Sequence, residues 1–177
     1  SPLDIPASAL LDYLYQKSLY LSAIPATKED QAISQAILRQ ALYLAMQTAR
    51  RDFPSSASSL KPGLLPLFEP ILAGGGALSD STRPGDGLLL LLDALQPVGI
   101  TTVILDQNNL LPLLGAAAAR NNLLPVQVME SGAFLSAGTV VIPVVTANYG
   151  TPILRARLIY DNGTEARVDV KYGTIET

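Results

Sequence analysis

The chain has 177 residues, of which 49% are hydrophobic and 15% charged, and its net charge is −3 at pH 7. This balance argues against a disordered chain. It also argues against nucleic acid as the main partner, because the nearest approach to a basic cluster is the pair Arg50-Arg51. Without Cys and His, the chain lacks thiolate chemistry, the usual zinc ligands and the common general base. So little charge leaves apolar surface uncovered, and we expect a homo-oligomer or binding to other assembly proteins.

The first part of the chain, residues 1–53, predicts a helical arm of two helices. Apolar residues recur at helical spacing after Asp4, a candidate N-cap, and Pro25 ends the first helix. Thr27 opens the second helix, with Asp30 three residues later as in a capping box. The apolar residues of this second helix extend beyond one face, which indicates burial on more than one side.

Residues 54–63 are rich in Ser and Pro and predict a linker, and residues 64–177 predict an α/β domain. The expected elements are an extended segment at 64–72, a loop at 74–87, a helix at 88–95, a strand at 100–105, a helix at 108–121, and short strands at 125–129 and 140–145. A β-hairpin ends the chain. The predicted fold class is therefore α/β (α+β): a two-helix arm followed by helices packed on a mixed sheet.

Two features bear on membranes and processing. The longest uncharged stretch, between Glu130 and Arg155, is divided by glycines and prolines and is β-branched at its centre. It predicts strands and turns rather than a transmembrane helix. The sequence begins at Ser1 without an initiator Met or a signal-like segment, and we expect a processed form.

The terminal hairpin follows from two alternating runs, 154–160 and 164–172. A two-residue turn would set the apolar face of each strand against charged residues of the other. A three-residue loop, 161–163, pairs Tyr160 with Thr164, aligns the apolar faces and requires a left-handed conformation at Gly163. The pattern therefore predicts the longer loop.

On its outer face, the same register has two consequences for charge. It places Arg155 opposite Asp169, which is favourable, and Arg157 opposite Arg167, which is not. We expect burial of the aligned apolar face to stabilise the hairpin by more than one exposed like-charge pair destabilises it. The predicted register is therefore kept.

Gly74-Gly75-Gly76 and three acidic residues are candidates for ligand or metal binding. The glycines lack the Gly-Lys-Ser/Thr ending of a P-loop and the spacing of a dinucleotide fingerprint, which favours plain flexibility. Asp80, Asp86 and Asp93 could supply oxygen ligands to a hard cation, but their spacing does not match an EF-hand loop. Asp86 is more simply interpreted as a helix cap.

Two further candidates have structural explanations. Asp106 follows the predicted strand 100–105, where an α/β sheet places ligand-binding or catalytic groups, but helix capping is the simpler explanation and is favoured. Asn162-Gly163-Thr164 matches a glycosylation sequon, and the hairpin turn accounts for it without sugar. The sequence therefore predicts no catalytic residue, no cofactor-binding residue, no metal ligand and no cofactor.

The second half also resembles a known family. The run GLLLLLDALQPVGITTVILDQNNLLPLLGAAAARNNLL, followed by FLSAGTVVIPVVTANYG and the hairpin ILRARLIYDNGTEARVDV, is similar to the periplasmic α/β domain of curli-secretion lipoproteins, penicillin-binding-protein activators and flagellar outer-membrane lipoproteins. The similarity covers about residues 64–170. It departs from the family at Asp106-Gln107, where an Arg is common, and at Ile142-Pro143. The helical arm has no counterpart in the family.

This resemblance implies a non-catalytic subunit of a bacterial cell-envelope complex, periplasmic or associated with the outer membrane through a lipid on an upstream cysteine. Such a subunit acts through oligomerisation and protein–protein contacts in secretion, export or appendage assembly. Two alternatives stay open. One is a virion or phage-neck structural subunit, which fits the low charge and the apolar arm, and the other is a small-ligand-binding α/β module that uses Asp106 or the Gly-rich loop.

Overall fold

The structure is a computed structural model that describes residues 5–54, 65–79 and 83–177. It divides into two compact units, residues 1–140 and 141–177. The helices and strands, in chain order, are α1 (Ala7–Leu19), α2 (Lys28–Ala49), β1 (Ile71–Gly74), α3 (Gly76–Ser79), α4 (Pro84–Leu95), β2 (Gly99–Asp106), α5 (Leu111–Ala118), α6 (Leu123–Glu130), β3 (Leu135–Ile142), β4 (Pro152–Ile159) and β5 (Glu165–Lys171). The predicted α/β class is confirmed, with two helices at the start and a β-hairpin at the end.

The second helix of the arm begins as the sequence predicts. Thr27 Oγ1 accepts the Asp30 N–H at 3.0 Å, and the Asp30 carboxylate accepts the Thr27 N–H at 3.1 Å. This reciprocal pair is a capping box and fixes the start of α2. The predicted cap of the first helix, Asp4, lies outside the described residues, and Pro6, predicted in the opening turn, occupies the N-cap position of α1 with no side-chain cap hydrogen bond.

The strands of the first unit form a three-stranded sheet in the order β1-β2-β3. β1 and β2 are parallel, with Ile71 opposite Val103 and Gly74 opposite Asp106.

Helix α4, which lies between β1 and β2 along the chain, starts at Pro84, earlier than the predicted helix at 88–95. Pro is favourable in a first helical turn, and Asp86 adds a negative charge near the positive end of the helix dipole.

The core of the first unit lies between this sheet and two helices. Its centre is formed by four buried apolar residues, Ala73, Leu91, Val103 and Leu105. Leu42 of α2 packs against this cluster, and Arg39 of α2 forms an ion pair with Asp93 of α4 at 2.9 Å. Helix α2 therefore belongs to the same compact unit as the sheet.

The predicted linker, residues 54–63, lies outside the described residues except for Pro54. A linker at this position stays a prediction.

Some predicted elements differ from the structure. The segment 125–129, predicted as a short strand, lies in helix α6, which packs with α5. Pro125 falls in the first turn of α6, where proline is tolerated. Intrahelical bonds then satisfy the backbone locally, and the weak, context-dependent β-propensity of valine is overridden. Strand β3 also starts earlier than the predicted strand 140–145, and the loop predicted at 74–87 contains α3 and the start of α4.

The hairpin of the second unit has the predicted register. β4 and β5 are antiparallel, with Arg155 opposite Asp169 and Arg157 opposite Arg167. The Tyr160 N–H donates to the Thr164 carbonyl at 2.9 Å, which closes the three-residue loop. Both strands belong to a separate two-stranded sheet rather than to the sheet of the first unit.

Candidate functional site

The polar candidates of the first unit meet at the carboxyl edge of the parallel strands. Asp106 ends β2 and is only 2% exposed. Its Oδ1 accepts the Leu110 N–H at 2.9 Å, and its Oδ2 accepts the Leu111 N–H at 2.8 Å. These amides lie at the start of α5, where backbone donors have no partner within the helix. The helix-capping interpretation of Asp106 is thus confirmed.

The Gly-rich loop lies beside this carboxylate. A Cβ on Gly74 would lie 3.3 Å from the Asp106 Cβ and 3.4 Å from Leu111 Cδ1. Glycine therefore allows the end of β1 to approach the start of α5 closely. The structure brings together two of the sequence-predicted candidates, at the edge where parallel sheets commonly bind ligands. Packing and capping nevertheless account for both without a ligand.

Two of the three acidic residues considered as metal ligands are described, Asp86 and Asp93, and they do not meet. Asp86 and Asp93 lie about two turns apart on α4, and Asp93 is paired with Arg39. The interpretation of Asp86 as a helix cap is wrong. Arg83 occupies the N-cap position, and Asp86 lies within the first turn. Asp80 lies outside the described residues, and among those that are described no group of three acidic side chains could hold a metal ion.

The sequon residues form the hairpin turn. Asn162 Oδ1 accepts the Thr164 N–H at 3.0 Å and the Thr164 hydroxyl at 2.7 Å. This short-range bonding is typical of Asn in turns. It accounts for the Asn-Gly-Thr sequence in structural terms.

One polar contact was missed by the sequence analysis. Glu69 precedes β1 and accepts the Thr102 N–H of β2 at 2.7 Å. Hydrogen bonds from Thr102, its side chain first and then its backbone, hold the pKa of Glu69 below the ordinary value of a glutamate. The only signal in the sequence is an acidic residue before an expected strand, which is too common to be informative.

A further feature of the described residues is the apolar surface of the arm. No residue of α1 is buried. Nine large apolar side chains of α1, α2 and the turn between them are each exposed by 38% or more, and we call them the arm surface: Leu10, Leu11, Leu14, Tyr15, Leu19, Tyr20, Leu21, Ile24 and Leu44. Apolar patches of this extent on a soluble protein mark interaction sites.

Part of the arm surface borders a groove of about 550 Å³, which we call the arm groove. Eight residues line it: Ile5, Leu10, Ile33, Ala36, Ile37, Gln40, Ala41 and Leu44. The α2 residues among them recur every three or four positions and form one helix face. None of these described lining residues is charged, and Gln40 alone has a polar side chain.

Helix α2 thus uses two opposite faces. At 100° per residue, Leu42 and Arg39, which contact the core cluster and α4, point away from the face that carries Ala36, Gln40 and Leu44. The sequence predicted burial of α2 on more than one side. The structure covers one side with α4 and leaves most of the other side open, apart from the buried Ile33, as an apolar groove that can accept another helix.

In the described part of the chain, none of the helices is both long and apolar enough to span a membrane. Comparison of the chain with protein-family models, with curated proteins and with solved structures gives no match.

Proposed function

We propose that this chain is a non-catalytic assembly subunit that acts through protein–protein contacts of its helical arm. The observation that carries the proposal is the arm surface, in which a complete helix of the described chain has no buried residue. A helix of 13 residues is marginally stable by itself in water, and its stability comes from covering an apolar face. A partner that covers α1 supplies that stabilisation.

The proposed setting is a complex of the bacterial cell envelope, in the periplasm or at the outer membrane. It rests on the resemblance of residues 64–170 to the periplasmic α/β domain of envelope lipoproteins. In that setting the α/β layer provides the scaffold, and the arm, which has no counterpart in that family, provides the contact surface.

The alternative of a ligand-binding module has less support from the residues at the carboxyl edge of the parallel strands. Both carboxylate oxygens of Asp106 accept backbone N–H groups of α5, and Gly74 is explained by its close approach to Asp106 and Leu111. A ligand at this edge would compete with the cap for the same oxygen atoms.

The test is the size and location of the species that contains the chain in the cells that produce it. We expect the full-length gene product in the envelope fraction, in a native species well above the chain mass of 18.7 kDa. A species of monomer size in those cells would contradict the proposal. Recovery in virus particles would support the virion alternative instead.

A further inference from the structure

We infer that the arm groove binds α1 of a second copy of this chain, so that two helical arms exchange their α1 helices reciprocally in a four-helix bundle. This inference rests on the proposed function and specifies its partner. Both halves of the contact, an open groove and an unpartnered helix face, are present on the same arm.

The helix face is an apolar stripe on α1, formed by Leu11, Leu14, Tyr15 and Ser18, which we call the α1 stripe. Its spacing of three and four residues places these side chains on one side of the helix. Leu11 is 51% exposed and Tyr15 is 67% exposed. The Ser18 hydroxyl donates to the Tyr15 carbonyl at 2.7 Å, so its hydrogen bond is satisfied within the helix. The stripe can therefore be buried without leaving this polar group unsatisfied.

The arm groove suits this stripe in shape and in charge. Ala36 and Ala41 are small and allow the backbone of a second helix to approach, while Ile37 and Leu44 provide apolar walls. The described lining residues carry no charge, and neither does the stripe. The charged residues of α1, Asp12 and Lys17, lie on either side of the stripe at 100° per residue and would stay in water.

The available area agrees with a second copy as the occupant. With about 150 Å² for a large apolar side chain, the exposed fractions of the arm surface correspond to about 800 Å², of which the stripe and groove residues supply somewhat less than half. A standard interface buries about 800 Å² per partner, so the arm surface reaches that size when the turn after α1 is covered together with the stripe and the groove. In a twofold dimer each groove receives the stripe of the other copy, and both apolar surfaces are covered at once without a third component.

The experiment measures the mass of the purified chain by analytical ultracentrifugation at roughly 50 μM, where a micromolar Kd leaves little monomer. We expect twice the chain mass of 18.7 kDa. Leu11→Lys on the stripe and Leu44→Glu in the groove should each weaken dimerisation by at least about a hundredfold and leave mostly monomer at this concentration, because each homodimer then buries two unpaired charges. Gln16→Glu is the matched control, since Gln16 lies on the side of α1 away from the stripe, and it should leave the dimer intact.

Mixing the two monomeric variants tests the reciprocal exchange. In a mixed dimer the lysine of one copy meets the glutamate in the groove of the other, and the second stripe and groove are unchanged, so association should return. Circular dichroism must show unchanged helix content in both variants. Both positions are more than half exposed, so neither change should disturb the monomer.

Several outcomes would overturn the inference: a monomeric wild-type chain, dimers unaffected by Leu11→Lys and Leu44→Glu, or no association on mixing. If the purified chain is monomeric but the species in cells is large, the partner is a different protein and the proposed function stands. If both are monomeric, both proposals fail.

Discussion

The sheet of the first unit and the hairpin of the second are both built on paired strands, but different interactions hold them. Val103 and Leu105 of β2 are buried against helices and other strands. In the hairpin, no residue of β4 or β5 is fully buried, and the strand pair is held by its ladder, its turn and ion pairs such as Arg155–Asp169. The sheet is therefore stabilised by contacts between residues far apart in the sequence, whereas the hairpin is stabilised by contacts between residues close together in the sequence.

This difference predicts unequal responses to the loss of apolar side chains. Leu91→Ala removes a side chain that is only 3% exposed in the core and should lower the free energy of unfolding of the first unit by about 2–5 kcal/mol. The matched change in the hairpin, Leu158→Ala, removes a side chain that is 44% exposed and should cost about 1 kcal/mol or less. Urea unfolding combined with amide exchange of β2 and β4 assigns each loss to its unit. Similar losses at the two positions would contradict the comparison.

The same difference explains what the sequence could predict. The hairpin register was predicted residue by residue, because a period of two, an Asn-Gly turn and the alignment of apolar faces all lie within a short segment. The capping box of Thr27 and Asp30 was predicted for the same reason. Each is determined by residues close together in the chain.

Predictions failed where distant parts of the chain decide the structure. The valines at 126 and 128 favour a strand locally, but packing with α5 and the start of β3 at residue 135 place that segment in a helix. Helix capping was the favoured interpretation of Asp106, but only its distances to the Leu110 and Leu111 N–H groups could confirm it. The arm groove could not be predicted, because the sequence does not show which face of α2 is covered by α4.

Replacing one glycine in each unit by alanine measures the effect of backbone conformation on stability without a change in packing. Gly163 in the hairpin loop has φ +80°, and a Cβ there would meet no atom within 4 Å. Gly163→Ala should therefore cost on the order of 1 kcal/mol, entirely through the left-handed backbone conformation. Gly115→Ala in α5 also adds a Cβ in open space, but within a helix, and should stabilise by about 0.5–1 kcal/mol. The measurement is the urea midpoint of each variant, and a neutral Gly163→Ala would contradict the loop geometry.

The smallest effect concerns pH and the ion pair of the hairpin. The Arg155 guanidinium donates to Asp169 at 2.7 Å, and this hydrogen bond holds the pKa of Asp169 below its ordinary value of 3.8. Because the folded pKa is depressed, the pair stabilises the hairpin above pH 3.8, and this contribution is lost as the pH falls through the folded pKa. Asp169→Asn should remove this dependence, whereas Asp161→Asn, the same charge change in the loop, should keep it.

Salt distinguishes this carboxylate from its counterpart in the first unit. The pKa of Glu69 is lowered by hydrogen bonds from Thr102, which carries no charge, whereas that of Asp169 is lowered by a charged partner. At about 1 M salt the screening length falls to about 3 Å, which weakens exposed ion pairs and leaves neutral hydrogen bonds largely unchanged. In an NMR titration the midpoint of Asp169 should rise toward 3.8 with added salt, and that of Glu69 should move less. Equal shifts of the two carboxylates would mean that Arg155 acts on Asp169 in the way that Thr102 acts on Glu69, through hydrogen-bond geometry rather than charge.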